Sequence, residues 1–338
     1  MPEWQNAAGG LMKKSFLYFI FTVITIAVFN TGCSQPSPAA PGATPTPTPT
    51  MAVQFYVNWG GMFGIGNGEF YNPYALSVDG DTGRVYVADS GNYRVQVFDA
   101  NGIYLLKWGT AGSADGEMAN PQGIAVNSAL GRVYVADTDN NRIQVFDING
   151  IFIKKWGSMG SAAGQFMYPS GMCVDSATNN IYVSDSGNGR IQVFDAEGVF
   201  IRTFGSTGAG DGQFNYQTDV SVDSVRNRVY VADVYNDNRV QMFNTEGVFI
   251  KKLQNSGNGD GQLNGPYGIY ADSTTGRLYV ADAGNARIQV FDADGAYITQ
   301  RGSEPASSPF DIELNLSNNR LYVMDLGALK VLVYKIYN

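Results

Sequence analysis

The sequence predicts an all-β protein, a six-bladed β-propeller of four-stranded antiparallel blades, with the ring closed by an N-terminal strand that completes the C-terminal blade. Three observations lead there. A near-identical segment recurs at Asp89, Asp137, Asp185, Asp233 and Asp282, at spacings of 48, 48, 48 and 49 residues, with a degraded sixth copy at Asp325. Each copy sits among four strand-like runs separated by turn residues. The two chain ends carry complementary fragments of one repeat.

The first repeat justifies its elements in order. Strands are predicted over 75–79, 85–89, 94–98 and 103–108. In the third, Val95 and Val97 alternate with Gln96, as expected of a pleated strand. Thr82-Gly83 separates the first pair and Ser90-Gly91-Asn92 the second, where the Asp89 carboxylate is placed to cap the turn. Asn101-Gly102 closes the third hairpin, and Asn149-Gly150 does so one repeat later. Asn-Gly predicts a type I′ turn, which needs positive φ at both residues. Fourth strands end at Trp108, Trp156, Phe204, Leu253 and Arg301. One more such strand, 55–60, stands alone at the N-terminus, while the last repeat has only three. Joining them gives six blades and removes an open sheet edge.

Three segments are expected: 1–33, 34–52 and the propeller at 53–338. In the first, Met12-Lys13-Lys14 precedes an apolar run from Phe16 to Phe29, with Met12 an alternative start. That run is short for a membrane span and fits a signal peptide. Thr31-Gly32-Cys33 resembles a bacterial lipobox, although Asn30 departs from its pattern, so Cys33 is expected to be lipidated and to anchor the chain in the cell envelope. Ser34 to Thr50 is a Pro/Thr/Ala linker. In polyproline II form, at about 3.1 Å per residue, it makes a semi-rigid stalk of roughly 50 Å.

Composition narrows the chemistry. There is no histidine, which excludes Ser-His-Asp and Cys-His catalysis and His-ligated zinc. The net charge is −8, so a phosphate backbone would be repelled and nucleic acid is not an expected partner. With two cysteines in unlike contexts, a structural disulfide is not expected, and Cys173 reads as a small core residue.

The repeats resemble the NHL-repeat family. The matching motif is a Gly-rich lead-in, Pro-x-Gly, an apolar strand, and Val-Ala-Asp-x-x-Asn-x-Arg-Ile-Gln-Val-Phe, here Ala114 to Gly123 and Val135 to Phe146. The resemblance covers about 285 residues. It implies the fold. It implies function only broadly, since such propellers serve as protein-interaction platforms, RNA binders, sensor heads and, occasionally, enzymes. The amidating-lyase branch relies on histidines, and the ligase branch on RING and B-box zinc modules, so neither activity carries over to this chain.

Residues present in every repeat, such as Arg94, Arg142, Arg190, Arg239 and Arg287, read as blade construction, and Phe70, Met118, Phe166, Phe214 and Leu263 as packing between blades. Function is expected where the repeats disagree, on the face carrying the loop that leads into each first strand. There the residue after the repeat's proline is Tyr74, Gln122, Ser170, Tyr267 or Phe310, with Thr218 in the repeat where Gln217 replaces proline. One step on, Asp219 and Asp311 break a run of small residues, and Glu313 is a further acidic exception. Blade four also carries an inserted residue in its turn from Val234 to Asn238, which includes Tyr235. Tyr71, Tyr168 and Tyr216 add aromatic surface to this face. Tyr74, Gln122, Asp219, Tyr235, Tyr267 and Phe310 are the candidate ligand-binding set. Asp219, Asp311 and Glu313 are the candidate metal set, calcium being the ion that hard oxygen ligands would suit if any cofactor is held. The expected protein is a membrane-anchored extracytoplasmic scaffold, monomeric, binding a protein or glycan. The alternative is a metal-dependent hydrolase or lactonase at the channel mouth.

Overall fold

The computed structural model describes residues 52–235, 238–253, 256–302 and 307–337. Signal-peptide, Cys33 and linker expectations lie outside these residues. Six four-stranded antiparallel sheets form the blades, at 73–108, 121–156, 169–204, 217–253, 266–302 and, for the sixth, 309–337 with Ala52–Gly60. Within blade 1 the strands are Pro73–Val78, Val85–Asp89, Arg94–Phe98 and Tyr104–Trp108, running from the inside of the ring outward. First strands of successive blades touch around the whole ring, blade 6 returning to blade 1. Closure occurs as the sequence predicts. Ala52–Gly60 pairs antiparallel with Lys330–Tyr337, placing Trp59 opposite Val331 and Ala52 opposite Tyr337.

Between neighbouring blades lie apolar clusters, each built from two blades. Phe70, Met118, Phe166, Phe214 and Leu263 are all buried in them. Burying such large side chains contributes roughly 1.5–3 kcal/mol each. Closing strand and first blade meet in the same way, with Trp59 set 4.5 Å from the ring of Phe98.

The repeated polar residues build one device per blade. In blade 2, Asp137 Oδ2 accepts from Arg142 Nε at 2.7 Å and from Gln144 Nε2 at 3.0 Å, while Oδ1 accepts from the Ala119 amide at 2.6 Å. Arg142 then donates to the carbonyls of Ser113, Ala114 and Glu117. The network ties the lead-in loop to strands two and three, and blades 1, 3, 4 and 5 repeat its Arg–Asp pair. One expectation changes here. Asp89 does not cap the Ser90–Asn92 turn; no side-chain cap bond forms. Its carboxylate accepts instead from Asn92 Nδ2, Arg94, Gln96 and the Tyr71 amide. Gln96, which alternates with the valines, is fully buried in that network.

A second change concerns the Asn-Gly turns. In each pair only the glycine takes positive φ, Gly102 at 85° and Gly150 at 84°. Asp99 Oδ1 accepts from the Asn101 and Ile103 amides, holding a bulged turn in place of type I′. The glycine has a second reason to be there. A Cβ on Gly102 would collide with the Trp59 indole of the neighbouring blade, and one on Gly150 with Trp108.

Candidate functional site

Every first strand begins with a register shift two or three residues after its start. A β-bulge at that point re-aims the extra residue. The residues it contains are Tyr74, Gln122, Ser170, Thr218, Tyr267 and Phe310, the set that follows the lead-in proline. Five of these residues, Tyr74, Gln122, Thr218, Tyr267 and Phe310, line one end of the central channel, while Ser170 is buried with its hydroxyl on Ser186 and the Gln217 carbonyl.

Blades 4, 5, 6 and 1 together roof that end with aromatic rings. Tyr267 stacks on Phe310, centroids 4.1 Å apart and planes 25° apart. Tyr74 meets Phe310 edge-on at 4.7 Å. Tyr216 and Tyr235 form another edge-on pair at 5.2 Å. Tyr74 and Tyr216, from blades 1 and 4, lie close enough for their hydroxyls to interact. Burial, then the charge of Tyr216, pushes the Tyr74 phenol well above its usual range. The roof stops at blades 2 and 3, where Gln122 and Ser170 stand.

The structure brings most of the predicted ligand set together but ranks its members differently. Tyr235 is the most open, 60 % exposed. Phe310 is only 9 % exposed, because it is held between Tyr74 and Tyr267 and serves as their support. Residues 236–237 of the inserted turn lie outside the described residues. Tyr216 was noted in sequence only as extra surface, yet it completes the roof. Its sequence signal was its place just before Gln217, the one first strand lacking the lead-in proline.

Below the roof runs a cavity of about 290 Å³. Its lining extends from Tyr74 and Gln122 to Ser176 and Leu316 at the opposite, exposed end of the channel. Asp219, Asp311 and Glu313 line it together with Cys173 and Tyr270. No lysine or arginine does.

Two of the three carboxylates are already engaged. Asp219 Oδ1 accepts from the Val220 amide at 2.8 Å and Oδ2 from Ile269 at 2.9 Å, joining blade 4 to blade 5. Asp311 Oδ1 accepts from Ile312 at 2.8 Å and Oδ2 from Leu76 at 2.7 Å, joining blade 6 to blade 1. Ser77 and Ser221 make similar bonds to Val126 and Ala271. Neighbouring Gly171 and Gly268 leave the room these aspartates fill, since a Cβ there would meet Asp219 or Asp311. Glu313 makes no such bond.

Burial and repulsion act on all three acids. Burial raises the Asp311 carboxyl to about 7. Asp219 is pushed well up by burial and then by the Asp311 charge, and Glu313 by burial and then by Asp311 and Asp219. Cys173 and Tyr270 are likewise raised, by burial first and nearby acid charge second. Among the described residues no group of three or more His, Cys, Asp or Glu is disposed to hold a metal ion. Four of the six oxygens of the candidate metal set carry backbone N–H groups, which points the same way.

Comparisons with known proteins agree with this architecture. A family described as "6-bladed beta-propeller" matches residues 125–205, 177–234 and 220–301. An NHL repeat matches residues 70–98. Among curated proteins none matches the sequence. A gluconolactonase from Xanthomonas campestris superposes with a TM-score of 0.62 at 13% identity, covering 80% of this chain and 88% of that one. Virginiamycin B lyase from Staphylococcus aureus gives 0.57 at 17% identity, covering 79% and 84%. A chain of a nidogen/laminin complex gives 0.55 at 15% identity, covering 71% and 83%. At such identities the likeness is one of fold.

Proposed function

Because the chain belongs to the six-bladed β-propeller family and carries NHL repeats, we propose that it is a binding scaffold, anchored at a membrane through lipidated Cys33 and presenting its lead-in-loop face to a protein or glycan of the cell envelope. The observation that carries this reading is the asymmetric aromatic roof of Tyr74, Phe310, Tyr267, Tyr216 and Tyr235. Tyrosines offer large contact area at low conformational cost, with a hydroxyl for hydrogen bonding. The roof is rigid where Phe310 supports it and open at Tyr235, and Gln122 adds an amide at its edge. Without histidine the chain lacks the commonest general base, which favours binding over chemistry. One similar fold comes from a protein–protein complex, nidogen with laminin.

The test is a double variant, Gln122→Ala with Tyr235→Ala, assayed on a glycan array and by cross-linking in intact envelopes. Both residues carry exposed surface, so the melting temperature should stay within about 2 °C. Ligand capture should fall by about tenfold or more, as for central contact residues. Undiminished capture by the double variant would remove this face from consideration.

A metal-dependent hydrolase or lactonase is the second reading. Its support is the convergence of Asp219, Asp311 and Glu313 in one cavity and the fold shared with two enzymes. Against it stand the four carboxylate oxygens already occupied by backbone amides.

A further inference from the structure

Glu313 is the unusual carboxylate of this molecule. The fully buried aspartates, Asp89, Asp137, Asp175, Asp185, Asp223, Asp233, Asp272, Asp282 and Asp325 among them, all accept hydrogen bonds from their surroundings. Glu313 accepts none from the described residues, and only burial and the charges of Asp311 and Asp219 act on it. It stands deep in the channel, and what surface it keeps faces the cavity. Tyr270, beside it, is also raised by burial first, then by the charges of Glu313, Asp272 and Tyr279. An enclosed carboxylate without a partner either holds a proton or is met by a cation. The lining supplies none.

The shape of the cavity selects among cations. Calcium takes six to eight oxygens, and here one carboxylate is free while two have both oxygens on amides. An alkylammonium group needs less: one carboxylate, a few neutral acceptors for its three N–H groups, and apolar or aromatic surface for its stem. The cavity has these. Ser77 and Ser221 provide hydroxyl oxygens at the level of Glu313, Tyr270 and Met172 provide the wall, and Tyr74 with Phe310 the roof. At about 290 Å³ it lies at the small end for ligand pockets.

We propose that the channel cavity is a binding site for a primary alkylammonium group, whose charge is neutralised by Glu313 and whose chain lies under the aromatic roof. This rests on the reading that the lead-in-loop face is the ligand-binding face, and it names what enters beneath that face. The group belongs either to a free diamine or to a lysine side chain of a docked polypeptide.

The experiment is calorimetric titration of the full-length chain in non-ionic detergent. Probes are 1,5-diaminopentane, 1-pentanol, calcium chloride, and a short peptide with lysine compared with the same peptide bearing norleucine. Saturable binding of the diamine, with none of the alcohol, is expected. Glu313→Gln should weaken it by about thirtyfold, the usual loss when one partner of a buried charge pair is removed. Peptide binding that competes with the diamine and needs the lysine identifies a side-chain source; diamine binding with no peptide binding identifies a small-molecule source. The proposal is overturned if pentanol binds as well as the diamine, if only calcium binds, or if Glu313→Gln binds the diamine as the wild type does. Should Glu313→Gln fail to fold, the diamine-against-pentanol comparison on wild type decides alone. Retained glycan or protein capture by a folded Glu313→Gln separates loss of this site from loss of the platform above it.

Discussion

At the scale of single residues, what repeats is structural and what varies gathers at the channel. Asp137 is fully buried with Arg142 beside it at 2.7 Å. A buried ion pair is a weak source of stability by itself, but removing one partner leaves a charge uncompensated and costs about 3–5 kcal/mol. Arg142→Ala should therefore lower the melting temperature by roughly 10 °C in a domain of this size, read by calorimetry. The loop ending at Met118 should also gain hydrogen exchange, because Arg142 holds the carbonyls of Ser113, Ala114 and Glu117. A variant that melts like wild type would show that the remaining donors, Asn140 and Gln144, suffice for Asp137. The structural role of these residues is legible in sequence from their recurrence in every blade. Their partners are not, since the carbonyls that Arg142 reaches lie 25 to 29 residues away.

At the scale of elements, strands were legible and their irregularities were not. Pro73–Val78 starts only two residues before the expected 75, because apolar runs and Gly-containing turns delimit it. The bulge after each lead-in proline could not be read, because a bulge shows only against the partner strand's register. That bulge is why Tyr74, Tyr267 and Phe310 converge rather than alternate into the sheet. Ring closure was legible from the unmatched strands, but its effect differs from expectation. Closing the ring supplies blade 6 with its fourth strand and leaves every outer edge open, with Leu105 41 % and Ile153 44 % exposed along it. Lysines at 107, 155 and 252 on these outer strands are the usual protection against edge pairing. A chain lacking residues 1–60 would bare Lys330–Tyr337, whose Val331, Leu332, Val333 and Ile336 are otherwise buried. We expect that truncated chain to form soluble aggregates on size exclusion with light scattering. A synthetic peptide of residues 52–60, added in trans, should return it to monomer, as strand donation does elsewhere. A truncated chain that stays monomeric with an unaltered melt would mean that three strands suffice for blade 6.

At the scale of the whole molecule, an absence in the sequence turns a local feature into a global property. The chain has no histidine, so nothing with an ordinary side-chain pKa titrates between pH 5 and 8. Asp311 is raised to about 7, and Asp219, Glu313 and Asp233 are raised as well, burial being the main cause in each. The groups facing the channel acids, Cys173 and Tyr270, are themselves pushed to higher pH and stay neutral in this window. A carboxyl whose folded pKa exceeds its unfolded one makes the native state hold more protons, so for Asp311 stability falls as pH rises from about 4 to about 7, and the other raised acids act in the same direction. Asp79 opposes this. Hydrogen bonds from Thr82 and Ser128 outweigh its burial and lower its carboxyl, so its contribution is lost only as the medium becomes strongly acid. The melting temperature should therefore be higher at pH 5.5 than at pH 8, by the equivalent of about a few kcal/mol. Most proteins with paired carboxylates and histidines show no such fall across neutrality, so a flat profile here would mean that the channel acids are solvated like surface ones. Glu313→Gln provides the internal control. It removes one charge from the cluster, so it should raise the melting temperature at pH 8, leave it nearly unchanged at pH 5.5, and flatten the slope between them.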